Sequence, residues 1–199
     1  MGRLSLANQI RPSTPSAGVT EIYVDSADKL TKQIDDTGVV RIFGMNTSAN
    51  LNSAVATSGT TETLLHKATI AANSVAVGNT WRCKLNGISS STGTLIFRVR
   101  IGALGTIGDN QAWISTTSAA QVANNWACMD VLLTIRTIGN PGSAQASGVA
   151  TATAVVLPQL AGAAATAAVI TTGVFYIDLD VTCSVGTFTA HNAIIELLK

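Results

Sequence analysis

Alternating apolar and polar residues recur along this chain and predict a protein built from half-buried β-strands. In residues 93–101 four apolar side chains share one face of an extended chain, and Arg98 and Arg100 share the other. The apolar four are Leu95, Phe97, Val99 and Ile101. Successive side chains of a strand point to opposite faces, so a repeat of two indicates a strand with one buried face. The same repeat runs through residues 81–86 and 175–182.

Eight runs of this kind follow residue 61, with short polar connections between them. They are residues 62–70, 80–86, 93–101, 111–118, 126–138, 144–157, 174–183 and 187–198. Eight strands with short connections are typical of a jelly roll, in which two sheets pack face to face. The pattern therefore predicts an all-β protein in which residues 62–199 form an eight-stranded jelly-roll β-sandwich.

The first 61 residues have a different character. Residues 1–18 place Pro12, Pro15 and Gly18 among serine and threonine, which predicts an extended arm with no core of its own. Two short apolar runs, VTEIYVD and VVRIF, predict a small β-hairpin. Residues 44–61 contain no charged and no aromatic residue, as expected of a linker. We thus expect an arm and hairpin over 1–43, a linker over 44–61 and the sandwich over 62–199.

Charged residues on the outward faces of the predicted strands suggest how the strands pair. In an eight-stranded jelly roll the second strand lies beside the seventh, and the third lies beside the eighth. This order predicts two sets of oppositely charged neighbours: Arg82 and Lys84 with Asp178 and Asp180, and Arg98 and Arg100 with Glu196. Such cross-strand pairs contribute only about 0.2–1 kcal/mol each, so they favour a register more than they add stability.

Composition narrows the class of partner. Charged residues make up 12% of the 199 residues and the formal net charge is +1. A nucleic-acid binder would carry a concentrated basic surface, so nucleic acid is not an expected partner. Interfaces between protein copies are depleted in charge, and another copy of this chain is therefore the expected cover for so much uncharged surface.

The remaining composition predicts a reduced protein without metal or membrane. The three cysteines, Cys83, Cys128 and Cys183, are far apart and accompany only two histidines, so neither a disulfide framework nor a zinc site is expected. Buried reduced thiols indicate synthesis in a reducing cytosol, and the first 18 residues lack the apolar core of a signal peptide. The uncharged run 137–177 is rich in alanine and threonine and contains Pro158, which disfavours a transmembrane span.

Motifs that carry chemistry are absent from the sequence. The glycine-rich GALGTIGDN lacks the lysine of a phosphate-binding loop, and neither His66 nor His191 stands in an informative catalytic pattern. Asp178 and Asp180 could bind a cation or act as paired acids, although pairing with basic neighbours is the simpler explanation. We predict no catalytic residue, no cofactor and no metal, and we single out Trp113, after a glycine-rich loop, as a candidate glycan contact.

Two stretches resemble parts of tailed-bacteriophage structural proteins. PSAGVTEIYVDSADKLTKQIDDTGVVRIF is similar to an N-terminal module with a Pro-x-x-Gly lead-in, a Tyr-bearing strand and an Asp-Asp-x-Gly turn. TETLLHKATIAANSVAVGNTWRCKLNGISSSTGTLIFRVRIG resembles the start of phage virion jelly-roll domains, with Ile70-Ala71-Ala72-Asn73 in place of their usual Ile-Pro-Ala-Asn-like turn. Together the two matches cover about residues 12 to 102.

The resemblance implies a virion structural protein, made in the host cytoplasm and usually a homotrimer, whose arm attaches it to the particle. A capsid decoration or cement protein bound to the major capsid protein or another virion protein is the favoured reading. The arm residues expected to make the attachment are Arg3, Leu4, Leu6, Ile10 and Arg11. Two alternatives stay open: a head or tail fibre that recognises host glycans, and a sandwich-fold glycan-degrading enzyme.

Overall fold

Strands account for all the regular structure in the described part of the chain. A computed structural model describes residues 8–10, 12–26, 31–34, 36, 40–42, 55–59, 61–90, 92–152, 155–158 and 167–198. In these ranges no helix is long and apolar enough to cross a membrane. The chain divides into two compact units, Met1–Met45 with Asn73–Val75, and Asn46–Ala72 with Ala76–Lys199. The all-β prediction is confirmed.

The N-terminal unit contains a four-stranded sheet of order β1-β2-β3-β4. Its strands are β1 (Asn8–Gln9), β2 (Glu21–Asp25), β3 (Thr31–Ile34) and β4 (Val40–Ile42). The alternation in β2 buries Tyr23, and β3 buries Ile34. The prediction of a two-stranded hairpin was wrong, because β3 lies inside the expected connection and pairs with both β2 and β4.

The larger unit contains two sheets. One has the order β12-β11-β10-β7-β15-β5, with β13 paired to β11, and the other has the order β6-β14-β8-β9. The strands are β5 (Val55–Ser58), β6 (Glu62–Ile70), β7 (Thr80–Ser89), β8 (Leu95–Gly102), β9 (Asn110–Ile114), β10 (Asn125–Thr137), β11 (Gly142–Ala152), β12 (Val155–Pro158), β13 (Ala167–Val169), β14 (Phe175–Cys183) and β15 (Thr187–Leu197). We call the first the large sheet and the second the small sheet. All their pairings are antiparallel.

The core lies between the two sheets, where the inward residues of the alternating runs meet. The predicted inward residues are buried, including Trp81, Cys83 and Leu85 on β7 and the four apolar residues of β8. Phe97 of the small sheet and Phe188 of the large sheet pack edge to face with ring centroids 5.6 Å apart. Each large apolar side chain buried in this way contributes about 1.5–3 kcal/mol to folding. Packing between the sheets is therefore the main source of stability in this unit.

The predicted neighbours of the charged strands were wrong. The second predicted strand, β7, lies between β10 and β15, and the seventh, β14, lies between β6 and β8. Asp178 and Asp180 consequently face Arg100 and Arg98. On the other sheet, Glu196 lies opposite Arg82, and Asp130 accepts a hydrogen bond of 2.9 Å from Arg82 Nε. Oppositely charged residues do lie opposite each other on neighbouring strands, but the pairs differ from the predicted ones.

The predicted neighbours were wrong because the predicted list of strands differs from the observed one. Val55–Ser58 pairs with β15 although it lies within residues 44–61, which were predicted to be a linker. The predicted strand 144–157 is two strands, β11 and β12, which extend the large sheet beyond β10. The predicted list thus omitted one strand before residue 62 and merged two strands after residue 142, and the neighbours derived from it were wrong.

Candidate functional site

A cluster of charged side chains lies on the outer face of the small sheet, the face away from the core. Its centre is β14, where Asp178 and Asp180 point outward and are fully buried. Arg100 lies opposite Asp178 and Arg98 opposite Asp180 on the neighbouring strand β8. The other members, Glu62 and Lys67 on β6 and Asp109 before β9, complete what we call the ionic cluster.

Glu62 and Arg100 bridge the small sheet across β14. Arg100 donates from Nε to Glu62 Oε1 at 2.7 Å and from Nη2 to Oε2 at 3.0 Å, which is the bidentate geometry of the strongest ion pairs. Both side chains are largely buried, at 14% and 18% exposed. Arg98 Nη1 lies 3.6 Å from the same carboxylate and donates to Thr182 Oγ1 at 2.7 Å. This bridge covers Asp180 from the outside.

The loop between β8 and β9 covers the other end of the cluster. Asp109 accepts hydrogen bonds from the backbone N–H groups of Leu104 and Gly105 at 2.9 and 2.6 Å, which folds the loop inward. A side chain at Gly102 would collide with the Asp109 carboxylate, so glycine is needed for this approach. Gly105 has a φ of +63°, and its carbonyl accepts a hydrogen bond from Lys67 Nζ at 3.3 Å. The loop thus excludes water from Asp178.

The carboxylates of Asp178 and Asp180 lack hydrogen-bond donors. None of their four oxygens has a hydrogen-bond partner among the described residues. Arg100 Nε lies 3.2 Å from Asp180 Oδ2, but its hydrogen is donated to Glu62, so Asp180 gains attraction without a hydrogen bond. Asp178 lies beside the Asp109 carboxylate, and two carboxylates form a hydrogen bond only when they share a proton.

These surroundings favour protonated carboxyl groups. Burial, followed by the neighbouring Asp109 and Asp180, raises the pKa of Asp178 to about 8. Burial, followed by Glu62, raises the pKa of Asp180 to about 7, although Arg100 and Arg98 oppose the shift. Four carboxylates meet three cations in the cluster, so one retained proton brings its net charge to zero. We assign that proton to the Asp178 carboxyl, beside Asp109.

The ionic cluster buries its two central side chains. Asp178 and Asp180, the two sequence candidates for paired acids or a cation site, are inaccessible to solvent. Across the described ranges no three histidine, cysteine, aspartate or glutamate side chains are arranged to hold a metal ion. Burial lowers the pKa of His66, whose buried Nε2 has no hydrogen-bond partner among the described residues, which favours the neutral ring.

The tryptophans are distributed differently from the prediction. Trp113, the candidate glycan contact, is only 1% exposed and packs in the interior. Trp126 is 61% exposed on the outer face of the large sheet, and its ring lies 5.6 Å from the ring of His191. A β-bulge between Ala190 and Asn192 shifts the register at His191. Because bulges re-aim side chains, this bulge accounts for a tilted ring contact that alternation alone does not predict.

Most of the predicted attachment residues lie outside the described part of the chain. These are Arg3, Leu4, Leu6 and Arg11. Ile10 is described and is 84% exposed. It directly follows β1, which pairs in parallel with β2 at the edge of the N-terminal sheet. Ile10 is therefore available for contact with another molecule.

Sequence reasoning missed the ionic cluster because it placed the aspartates beside the wrong strands. The signal was present in the spacing of Asp178 and Asp180, which matches that of Arg98 and Arg100. The burial of Asp109 has no comparable signal, since it depends on the inward fold of a loop. Comparison of the chain with protein-family models, with curated proteins and with solved structures found no match.

Proposed function

We propose that this protein is a structural component of a tailed-bacteriophage virion, of the capsid decoration or cement type. Its sandwich associates with other copies, as a homotrimer, and its N-terminal arm attaches the assembly to the major capsid protein or another virion protein. The observation that carries the proposal is the strand order of the sandwich, taken together with a separate N-terminal unit. The function that follows is mechanical and involves no reaction.

The strand order supports a jelly-roll arrangement when counting begins at β5. With β11, β12 and β13 set aside as additions, the large sheet has the order 6-3-8-1 and the small sheet 2-7-4-5. The second strand then lies beside the seventh and the third beside the eighth, as an eight-stranded jelly roll requires. This agreement supports the proposal of a jelly roll with an extra edge, and with it the likeness to virion domains.

The N-terminal unit joins two of the motifs on which its likeness to the phage module rests. The backbone N–H of Gly18, in the Pro-x-x-Gly lead-in, donates to Asp36 Oδ2, in the Asp-Asp-x-Gly turn, at 2.6 Å. Gly18 has a φ of +77°, a conformation that favours glycine. Tyr23, the tyrosine of the module's first strand, is buried. The motif residues thus support one another structurally, as residues of a folded module do.

Attachment is tested with virus particles that lack this chain. We expect the full-length protein to cosediment with such particles, and a variant lacking residues 1–11 to remain in the supernatant while keeping the oligomeric mass of the wild type. A second variant carries Leu4→Ser, Leu6→Ser and Ile10→Ser. Its matched control carries Val19→Ser and Ile22→Ser, two exposed apolar positions of the same unit. Binding by the deletion variant, or equal loss in the control, would contradict attachment by the arm.

One observation favours a second function, glycan recognition by a fibre protein. Trp126 presents an exposed ring beside His191, and aromatic rings with a polar partner are common sugar-stacking surfaces. A glycan array probed with the wild type and with Trp126→Ala separates the two functions. Binding that disappears in Trp126→Ala would favour the fibre, and absence of binding combined with particle attachment would favour the decoration protein.

A further inference from the structure

Four connections and Leu198, which directly follows β15, meet at one end of the sandwich. In the small sheet, β6 ends at Ile70 opposite Phe175, and β8 ends at Gly102 opposite Tyr176. In the large sheet, β7 begins at Thr80, opposite Thr134 near the end of β10. The segments that emerge here are 76–79, 103–109, 138–141 and 170–174. We call these segments and Leu198 the loop end.

Hydrogen bonds join these segments into one surface. The backbone N–H of Gly78 donates to the carbonyl of Ile135 at 2.9 Å. Gly139 N–H donates to Thr171 Oγ1 at 2.8 Å, and Thr171 N–H donates back to the Gly139 carbonyl at 3.1 Å. Asn110 Nδ2 donates to the Ala168 carbonyl at 2.8 Å. The loop end is therefore preformed, and a partner need not order it on binding.

The loop end exposes most of the large aliphatic side chains that the sandwich leaves in solvent. Seven of them are 38–64% exposed: Val77, Leu104, Ile107, Ile138, Ile170, Val174 and Leu198. The only acidic or basic residue in the four segments is Asp109, which is buried and hydrogen-bonded to backbone. At the opposite end of the described sandwich the comparably exposed aliphatic side chains are Val122 and Val185, and the aromatic Trp126 is exposed near them in the chain order of β10. Contiguous exposed apolar surface of this kind marks interaction sites.

A groove crosses the loop end. It has a volume of about 380 Å³ and lies between the β8–β9 loop, the turn at Asn140 and Pro141, and strand β13. Its apolar lining includes Leu104, Val169 and Ile170. Ile107 and Ile138 do not line the groove but project from the same end. The loop end thus carries both an apolar groove and projecting apolar side chains.

We propose that the loop end is the surface through which copies of this chain associate, a projecting aliphatic side chain of one copy entering the groove of the next. In a closed trimer each copy contacts one neighbour with one feature and the other neighbour with the complementary feature, so each copy must carry both, and the loop end does. Copies that meet through one end repel when that end is charged, and the described residues of the four segments and Leu198 present no accessible charge of their own; Lys67 of β6, which donates to the Gly105 carbonyl, is a charged neighbour at their border. This inference rests on the self-association in the proposed function and names its location.

The test compares purified full-length proteins by sedimentation velocity over a hundredfold range of concentration. Leu104→Glu together with Ile138→Glu places one charge in the groove and another at a projecting position. We expect this variant to sediment as a monomer where the wild type is assembled, with an apparent dissociation constant raised at least tenfold. The matched control, Val122→Glu with Val185→Glu, makes the same change at the opposite end and should assemble like the wild type. Thermal melting by circular dichroism shows whether each variant is folded.

Each other outcome overturns the inference in a distinguishable way. A folded loop-end variant that assembles like the wild type overturns the location and leaves the proposed self-association standing. A wild type that is monomeric throughout overturns both. Loss of particle cosedimentation by the loop-end variant, with a monomeric wild type, would show that the loop end binds the virion rather than another copy. If the glutamate variant unfolds, Leu104→Ser with Ile138→Ser replaces it and is judged by the same outcomes.

Discussion

At the scale of single residues, the environment of Asp178 makes the stability of the fold depend on pH. An unfolded aspartate loses its proton near pH 3.8, whereas burial beside Asp109 lets folded Asp178 hold one up to about pH 8. Between these values the folded state holds one proton on Asp178 that the unfolded state has lost. Stability therefore falls as pH rises through this window, at up to about 1.4 kcal/mol per pH unit for one proton, and levels off above it.

Substitution Asp178→Asn tests this account. The amide has the shape of the protonated carboxyl and can donate to Asp109, but it cannot become charged. We expect the free energy of unfolding to depend about half as steeply on pH between 5 and 8 as in the wild type, since Asp180, with a pKa of about 7, keeps its own contribution. Urea denaturation at pH 5, 7 and 9 measures the slope.

Asp130→Asn is the control for that experiment because the pKa of Asp130 is shifted in the opposite direction. The hydrogen bond from Arg82 lowers the pKa of Asp130, so its contribution to stability is present above the unfolded pKa and is lost only in more acidic solution. We expect this variant to lower stability equally at pH 5, 7 and 9. An Asp178→Asn protein with the full wild-type slope would show that Asp178 is ionised in the fold.

At the scale of elements, the sequence was sufficient for strands with a strong repeat of two and insufficient for short ones. β7, β8 and β14 were predicted because one of their faces is buried against the other sheet. β3 (TKQI) and β5 (VATS) have only four residues and no comparable alternation, so their pairing depends on a neighbouring edge that the local sequence does not reveal. Because β5 was not predicted, the charged residues were assigned to the wrong neighbouring strands. Trp113 was proposed as a glycan contact because it follows a glycine-rich loop, and nothing in that loop's sequence reveals that its side chain is buried.

The Glu62–Arg100 bridge tests the corrected order of the small sheet. It joins β6 and β8 over β14, so it forms only if β14 is the strand between them. A double-mutant cycle with Glu62→Gln and Arg100→Gln should give a coupling energy of about 0.5–3 kcal/mol, because both partners are largely buried. The comparison cycle pairs Arg100→Gln with Glu196→Gln, the neighbour that the original strand count predicted. It should be additive within about 0.5 kcal/mol, and coupling in it instead would favour the original order.

At the scale of the whole molecule, the sandwich unit begins at a different residue in the structure than in the sequence-based division. Contact within the fold assigns Asn46–Ala72 to the sandwich unit, whereas the composition of residues 44–61 had suggested a linker ending at 61. The difference rests on β5, which covers residues Thr187–Ala190 of β15 at the edge of the large sheet. Without β5 the N–H and C=O groups on that side of β15 would be unpaired, and an open edge of this kind pairs with other chains.

Two truncated proteins distinguish these boundaries. A chain that begins at Asn46 retains β5 and should melt cooperatively, at a temperature close to that of the sandwich unit in the full-length protein. A chain that begins at Glu62 has lost the edge strand, so it should melt at a lower temperature and form aggregates that grow with concentration. Circular dichroism and size-exclusion chromatography at matched concentrations provide the comparison. Equal melting temperatures and equal solubility would mean that β5 is dispensable and that residues 44–61 act as the linker their composition suggested.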